Sequence, residues 1–307
     1  YVLELSSYQI DLTSGLRPDA AALINISPDH LDRHAGMNGY VAAKRRLLEM
    51  AGSDVPIVIG SDDKYSSRIC RDMAAKGHKV IEIAVGRTIT AGIFVQNGLL
   101  QRASYNDVIT DLSKIDTLQG AHNWQNAAIA FALAESFGLS DAAILHGLRS
   151  YPGLPHRMEI VGCVDNVLFV NDSKATNTKA AAQALACYDN IFWIAGGIAK
   201  QDSLDSLLLH GEKIRHAYLI GEAASLFAAY LTGRVEHEIS GCLVTAIQAA
   251  YKAASKSGGV VLLSPACASF DQFTSFEARG DQFRALAQKI AGNDSNGSSR
   301  RVAGGAL

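Results

Sequence analysis

The sequence predicts an α/β fold made of two doubly wound units. Short β-branched runs alternate with alanine-rich helical patterns along the chain, the signature of βαβ units around a largely parallel sheet. The 307 residues, 48% hydrophobic and 19% charged, suffice for about two domains of roughly 150 residues each. Between the halves, "YPGLPHRME" (151 to 159) joins turn-forming residues to a composition shift and marks the domain boundary.

The opening "YVLELSSYQID" lacks Met and reads as the inside of a strand, so N-terminal sequence is expected to be missing and the numbering to start mid-domain. "AALINI" (21 to 26), "VPIVIG" (55 to 60) and "KVIEIAV" (79 to 85) read as strands, and "GYVAAKRRLLEMA" (39 to 51) as an amphipathic helix with Val41, Leu47 and Leu48 inward. Residues 89 to 110 alternate weakly around "QNG" and predict a hairpin excursion. Two helices follow, 120 to 139 and 140 to 151. Past the boundary come the hairpin pair "EIVGCV" and "NVLFV", helix 175 to 187, strand "NIFWIAGG", helix 201 to 210, strand "HAYLIG", helices 222 to 231 and 242 to 257, and strand "GGVVLLSP". Domains are expected at 1–151 and 152–292. The segment 293–307, rich in Gly, Ser and Asn without a hydrophobic period, is expected to be a disordered or non-native tail.

A formal charge of −2 provides no global field for nucleic acid or an anionic membrane, and no apolar run approaches the roughly 18 residues needed to span a bilayer. Neither partner is expected. The cysteines Cys70, Cys163, Cys187, Cys242 and Cys267 are odd in number, widely spaced and without a C-x-x-C pair, which suggests neither a disulfide framework nor a zinc site and points to the cytoplasm.

Candidate chemistry gathers at strand ends. "VNDSKATN" (170 to 177) sets polar residues, Asp172 and Lys174 among them, between a buried strand and a helix. A helix cap needs only one such residue, whereas a strand end meeting a helix N-terminus is also where α/β proteins bind anions; both readings stay open. Glu4 is expected on the opening strand, His30 in the loop after residue 26 and Lys44 on the next helix. Each alone fits a solvated surface, but a carboxylate, an imidazole and a lysine at one sheet edge can build a site for Mg²⁺ and phosphate. Asn123 and Asn126 of "GAHNWQN" share a helix face near an N-terminus, suited to a base or phosphate. Arg157 is a hinge cation, or simply a solvated linker residue. "IAGGIAKQD" ends a strand in Gly-Gly with Lys200 beyond, either a close approach to a ligand or a common turn. Ser264 and Ser269 of "LLSPACASFDQF" can bind a carboxylate or cap the next helix.

Taken together, "ELSSYQ", "NISPDHLDRH", "YVAAKRRL", "GAHNWQN", "GLPHRME", "NDSKATN", "AGGIAKQ" and "LLSPACASFDQF…FEARG" resemble, in this order and from about residue 1 to 290, the motifs of the Mur ligases of bacterial cell-wall synthesis. The last three look like the branch that adds D-glutamate. The resemblance implies a partial P-loop-type central domain followed by a Rossmann-like, doubly wound C-terminal domain in a cytoplasmic, monomeric enzyme. It also implies an ATP-dependent amide ligase using Mg²⁺ that joins D-glutamate to UDP-N-acetylmuramoyl-L-alanine through an acyl phosphate. By similarity Glu4 and His30 are Mg²⁺ ligands, and Lys44 is a lysine carbamylated by CO₂ into an anionic ligand. Asn123, Asn126, Arg157, Asp172 and Lys174 lie on the ATP side, with Asp172 at the ribose. Thr176, Lys200, Ser269 and Phe276 bind D-glutamate, Lys200 and Ser269 through its carboxylates.

Two departures stand beside this likeness. No P-loop of the form G-x-x-G-K-[ST], which the family carries upstream of "ELSS", occurs in these residues, and the domain that grips UDP is absent, so the chain alone is expected to be inactive. Phe270 stands where an aliphatic residue is more usual. Alternatives are another ligase of the superfamily, such as a folylpolyglutamate-type or diamino-acid-adding enzyme, or a non-catalytic nucleotide-binding protein on the same fold. The lack of a "DNPR"-type motif argues against the diamino-acid adders, and the lack of G-x-G-x-x-G after any strand argues against a dinucleotide-dependent oxidoreductase.

Overall fold

The chain folds around two six-stranded sheets, one in each of two compact units that meet in sequence between Tyr151 and Pro152. A computed structural model describes residues 1–28, 31–104, 107–200 and 203–294.

In the first unit the opening segment is not a strand. Tyr1, Val2 and Leu3 are exposed, and helix α1 (Ser7–Leu12) begins after three further residues, the last of them its cap Ser6. A reciprocal capping box starts it: Gln9 N–H donates to Ser6 Oγ, and Ser6 N–H donates to Gln9 Oε1. The unit continues with β1 (Ala21–Leu23), α2 (Met37–Met50), β2 (Pro56–Gly60), α3 (Lys64–Ala75), β3 (Lys79–Val85), β4 (Ile93–Gln96), β5 (Leu99–Arg102), β6 (Asp107–Asp111), α4 (Ala121–Ser136) and α5 (Asp141–Ser150). Strands β1 to β4 run parallel in sequence order, and β4 to β6 form an antiparallel meander. Its first turn is Asn97-Gly98, both at positive φ as a tight hairpin turn requires.

Successive side chains of β2 serve opposite faces. Ile57 and Ile59 pack with Leu48 of α2 and Ile69 and Met73 of α3, while Val58 packs with Ile83, Val95 and Phe131 of α4. Of the inward residues expected on α2, Leu48 is fully buried, and Val41 and Leu47 pack against the same cluster. Helix α3 is absent from the sequence reading, although Asp63 caps it and Ser66, Ile69, Cys70 and Met73 hold helical spacing.

The second unit runs β7 (Glu159–Val164), β8 (Val167–Asn171), α6 (Thr178–Ala186), β9 (Ile191–Gly196), β10 (Ile214–Ile220), α7 (Ala224–Leu231), β11 (His237–Gly241), α8 (Leu243–Ala254), β12 (Gly259–Leu263) and α9 (Phe276–Asp294). Its strand order is β11-β10-β9-β12-β8-β7, parallel apart from β7, which forms the expected hairpin with β8 through Asp165 and Asn166 at positive φ. Trp193 of β9 packs with Leu185 and Phe227 on one face, and Ile194 packs with Ile247 and Phe283 on the other. Both faces are covered by helices, as a doubly wound sheet demands.

The helix expected at 201–210 is instead a 3-10 segment, Asp205–Lys213, which leaves helical geometry at His210 and buries only Leu207 fully; residues 201 and 202 lie outside the described ones. Strand β11 was not expected, because it is a mostly exposed edge without clean alternation. Helix α9 anchors Phe283 and Ala287 in the core and runs to Asp294, two residues into the expected tail; the rest of that tail, 295–307, lies outside the described residues. Among the described residues no helix is long and apolar enough to cross a membrane.

Candidate functional site

In the second unit polar groups converge at the carboxyl ends of β8, β9 and β12, where open parallel sheets bind ligands. After β8 the chain divides its polar residues among different tasks. Asn177 alone caps α6, its Oδ1 accepting from Ala180 N–H at 2.9 Å. Asn171, fully buried, donates through Nδ2 to Glu159 Oε2 and the Gly280 carbonyl, at 2.9 and 3.1 Å. Ser173 Oγ donates to the Phe276 carbonyl at 2.8 Å. The cap reading therefore explains one residue of the motif and leaves Asp172, Lys174 and Thr176 for other work.

Asp172 is 7% exposed and accepts hydrogen bonds from Ser264 Oγ at 2.8 Å and Met158 N–H at 3.3 Å. Burial pushes its carboxyl up to about 7, and the two donors and the Arg157 charge offset only part of that. Ser264 is thus a partner of Asp172, and its loop is held by Trp193, whose Nε1 donates to the Ser264 carbonyl at 2.8 Å. Arg157 itself is exposed. Lys174 is exposed, with Nζ 4.6 Å from the centroid of the Phe276 ring, a cation–π distance. Thr176 is half-buried, and its N–H donates to the Lys174 carbonyl.

The loops after β9 and β12 are stitched together. Ile198 and Ala268 exchange backbone hydrogen bonds of 2.8 and 3.0 Å. This puts Lys200 and Ser269 on adjoining loops. Lys200 is exposed, whereas Ser269 is 2% exposed and its Oγ, fully buried, has no hydrogen-bond partner among the described residues. An unpaired buried hydroxyl costs about 1–3 kcal/mol, so it calls for an explanation. The Gly196-Gly197 pair has a packing reason: both lie at positive φ, and a Cβ on Gly196 or Gly197 would collide with the carbonyls of Ile220 or Ala268. Phe276 opens α9, half-buried, with its ring 6.1 Å from that of His156. Phe270 is 69% exposed.

Arg279 was not singled out in the sequence, yet it is 1% exposed and binds the Ser173, Cys267 and Gly196 loops. The signal for it is Gly280, which interrupts a helical run: a Cβ there would collide with His156 Nδ1, so glycine marks a close contact.

The first unit presents a different picture. Glu4 is exposed and precedes α1 instead of lying on a strand, because the segment 1–6 pairs with no strand among the described residues. Lys44 is half-buried on α2 with Nζ 5.3 Å from the Tyr40 ring, and His30 lies outside the described residues. Among the described residues no group of three His, Cys, Asp or Glu side chains is placed to hold a metal ion. Asn123 Nδ2 donates to the Gln119 carbonyl at 3.0 Å, and Asn126 is exposed. Gly120 precedes α4 without a side-chain cap.

Sequence reasoning also passed over the polar brace at this sheet's strand ends. Asp62 accepts from Val85 N–H and from Gln125 Nε2 at 2.8 Å; Asp63 accepts from Ile26 N–H and caps α3. Ser61 and Glu82 are bridged by Arg87. The signal was "GSDDK" directly after a strand.

Two family models match this chain, the Mur ligase middle domain over residues 1–134 and the Mur ligase glutamate ligase domain over residues 156–267. The chain belongs to the Mur ligase family. Similar proteins include the "UDP-N-acetylmuramoylalanine--D-glutamate ligase" of Caulobacter vibrioides, 50% identical over 94% of this chain and 63% of the relative. The protein of the same name from Phenylobacterium zucineum is 47% identical over 95% and 63%. The chain thus spans about 63% of the length of these Mur ligase relatives. Among solved structures, a MurF ligase from Thermotoga maritima in complex with ADP superposes with a TM-score of 0.61 at 13% identity, covering 89% of this chain and 63% of that one. MurC from the same organism gives 0.60 at 12% identity, over 92% and 62%. At such identities these two structures show the Mur ligase fold alone.

Proposed function

We propose that this chain supplies the amino-acid pocket and part of the nucleotide site of an ATP-dependent ligase that adds D-glutamate to UDP-N-acetylmuramoyl-L-alanine in peptidoglycan precursor synthesis. The observation that carries the reading is the buried, unpaired Ser269 hydroxyl on the loop stitched to that of Lys200. A hydroxyl donor and a lysine on adjoining strand-end loops suit carboxylates, and D-glutamate has two. The names of the 47 to 50% identical relatives support the same choice of amino acid.

In the reaction, a carboxylate oxygen of the muramoyl-L-alanine substrate attacks the γ-phosphorus of ATP, giving an acyl phosphate and ADP. The D-glutamate amine then attacks the acyl carbon, and the tetrahedral intermediate expels inorganic phosphate as the amide forms. The amine must reach that carbon as a free base, while the amino acid's own carboxylates are repelled by phosphate. Lys200 and Ser269 hold those carboxylates, Thr176 lies along the same motif, and Phe276 walls the pocket, while Lys174, on the ATP side by similarity, stacks on the Phe276 ring and so borders both. Fixed donors of this kind orient the nucleophile without reorganising during reaction. Asp172, buried beside Ser264, accepts or donates at a nucleotide hydroxyl, and Arg157 brings a cation to the same end. Asn123 and Asn126 belong to the nucleotide side by similarity. Glu4 and Lys44 form no metal-binding cluster among the described residues, which do not by themselves fit Mg²⁺, so no step is routed through the ion. Carbamylation of Lys44 and a cytoplasmic location belong to the same proposal.

The test is amide formation by the full-length protein from ATP and UDP-N-acetylmuramoyl-L-alanine. Lys200→Ala should lower kcat/KM for D-glutamate about 100-fold, mostly through KM, as expected for loss of a charge-assisted hydrogen bond. An unchanged KM for D-glutamate in that variant would remove Lys200 from the pocket.

A further inference from the structure

We propose that Arg279 is the positioning residue of the amino-acid pocket, one buried guanidinium that fixes the strand-end loops from which the pocket side chains project. The proposal rests on the functional reading above. Arg279 Nε donates to Ser173 Oγ at 3.0 Å, and Nη2 donates to the Ser173 carbonyl at 2.9 Å and the Cys267 carbonyl at 3.1 Å. Nη1 faces the Gly196 carbonyl at 3.5 Å. These acceptors lie after β8, after β12 and at the end of β9. Each is close in sequence to a pocket residue: Ser173 precedes Lys174 and Thr176, Cys267 precedes Ser269, and Gly196 leads to Lys200.

The same bond set reaches the aromatic wall. Ser173 Oγ accepts from Arg279 and donates to the carbonyl of Phe276, so the hydroxyl is held at both its donor and acceptor sides. Gly280 brings this turn of α9 close to His156 and Asn171. Arginine suits the position and lysine does not, because only a planar fork reaches carbonyls on separate loops at once, while an ammonium is a point donor on one stem.

The second consequence is electrostatic. Among the described residues the hydrogen-bond acceptors of Arg279 are a hydroxyl and backbone carbonyls, with no carboxylate in contact. Burial pulls the guanidinium down to about 10, which leaves it charged at neutral pH. Asp271 attracts it through space without a hydrogen bond, so its positive charge is only partly offset, and in a poorly hydrated setting it favours an anion at these strand ends. A ligand with two carboxylates benefits more than one whose charge is neutralised elsewhere.

The experiment measures KM for D-glutamate and for ATP in the full-length ligase carrying Arg279→Lys or Ser173→Ala. Arg279→Lys should raise KM for D-glutamate about 10-fold while KM for ATP stays within about 2-fold, a split that general loosening of the fold does not produce. Ser173→Ala removes one of the bonds and should give about a 3-fold rise in the same direction. The double variant should be less than additive, since the two changes share the Arg279–Ser173 Oγ bond, with the remainder set by the Ser173 bond to the Phe276 carbonyl that only Ser173→Ala removes. If Arg279→Lys does not fold, Ser173→Ala decides. A wild-type enzyme that saturates with D-glutamate, with KM for it unmoved in the folded variants, overturns this proposal alone. A wild-type enzyme indifferent to D-glutamate overturns the functional reading and this proposal with it.

Discussion

The strand ends of the two sheets differ in how far the protein has prepared them without a ligand. In the second unit a buried serine hydroxyl lacks a partner, burial pushes a carboxyl up to about 7, and a buried arginine hydrogen-bonds only neutral acceptors. Each of these costs stability, and such costs persist where function requires them. In the first unit most polar groups at the strand ends satisfy one another, Asp62 with Val85 and Gln125, Asp63 with Ile26 and the cap of α3, Arg87 with Ser61 and Glu82, while the Ser66 hydroxyl in the first turn of α3 is buried without a partner among the described residues. A satisfied network braces a fold, whereas an unsatisfied one marks where something else is to bind.

This contrast breaks most sharply at Asp172. Its carboxyl titrates at about 7 in the fold against 3.8 when unperturbed, so the folded state binds the proton more tightly. The stability this contributes is fully present below about pH 4 and is lost as pH rises through about 7. Asp172→Asn should therefore stabilise the protein at pH 8 by on the order of 3 kcal/mol, with little difference at pH 4, measured by urea midpoints across that range. A variant less stable than wild type at pH 8 would contradict the assignment of burial as the dominant cause.

Asp62→Ala in the first unit should act in the opposite sense. It leaves Val85 N–H and Gln125 without their acceptor and should cost about 2 kcal/mol in urea denaturation, without moving KM for D-glutamate. Ser269→Ala sharpens the comparison, because it removes an unpaired hydroxyl. Stability should hold or rise by up to about 1 kcal/mol while KM for D-glutamate rises about 10-fold. A fall in stability without a KM change would reduce Ser269 to packing. The smallest effect is expected at Gly147 on α5, where an added Cβ meets nothing within 4 Å: Gly147→Ala should stabilise by about 0.5–1 kcal/mol and leave activity alone.

Most of this architecture was legible because both sheets are covered on two faces. "VLFV" reads as a continuous apolar run and "KVIEIAV" as a β-branched run interrupted by Glu82, and Asn97-Gly98 and Asp165-Asn166 sit at the hairpin turns. What escaped had its signal diluted. Helix α3 buries Ile69, Cys70 and Met73 between Arg68, Arg71 and Asp72, β11 is an exposed edge, and α1 follows apolar residues that mimic a strand. At the site, Asp172 and Ser269 were readable from strand-end polarity. Arg279 was not singled out, because a charged residue on a helix is usually solvated, and the adjacent Gly280 marks a close contact without saying which neighbour is buried. Glu4 could not be placed from local pattern, since strand formation depends on a partner that local sequence does not specify.

The most direct test of the central claim is phosphate release by the full-length protein given ATP, Mg²⁺ and UDP-N-acetylmuramoyl-L-alanine, with D-glutamate, L-lysine or meso-diaminopimelate as the amino acid. Turnover is expected with D-glutamate alone, the amino acid whose two carboxylates suit the proposed donors Ser269 and Lys200. Turnover with a diamino acid, or with none of the three, would contradict it.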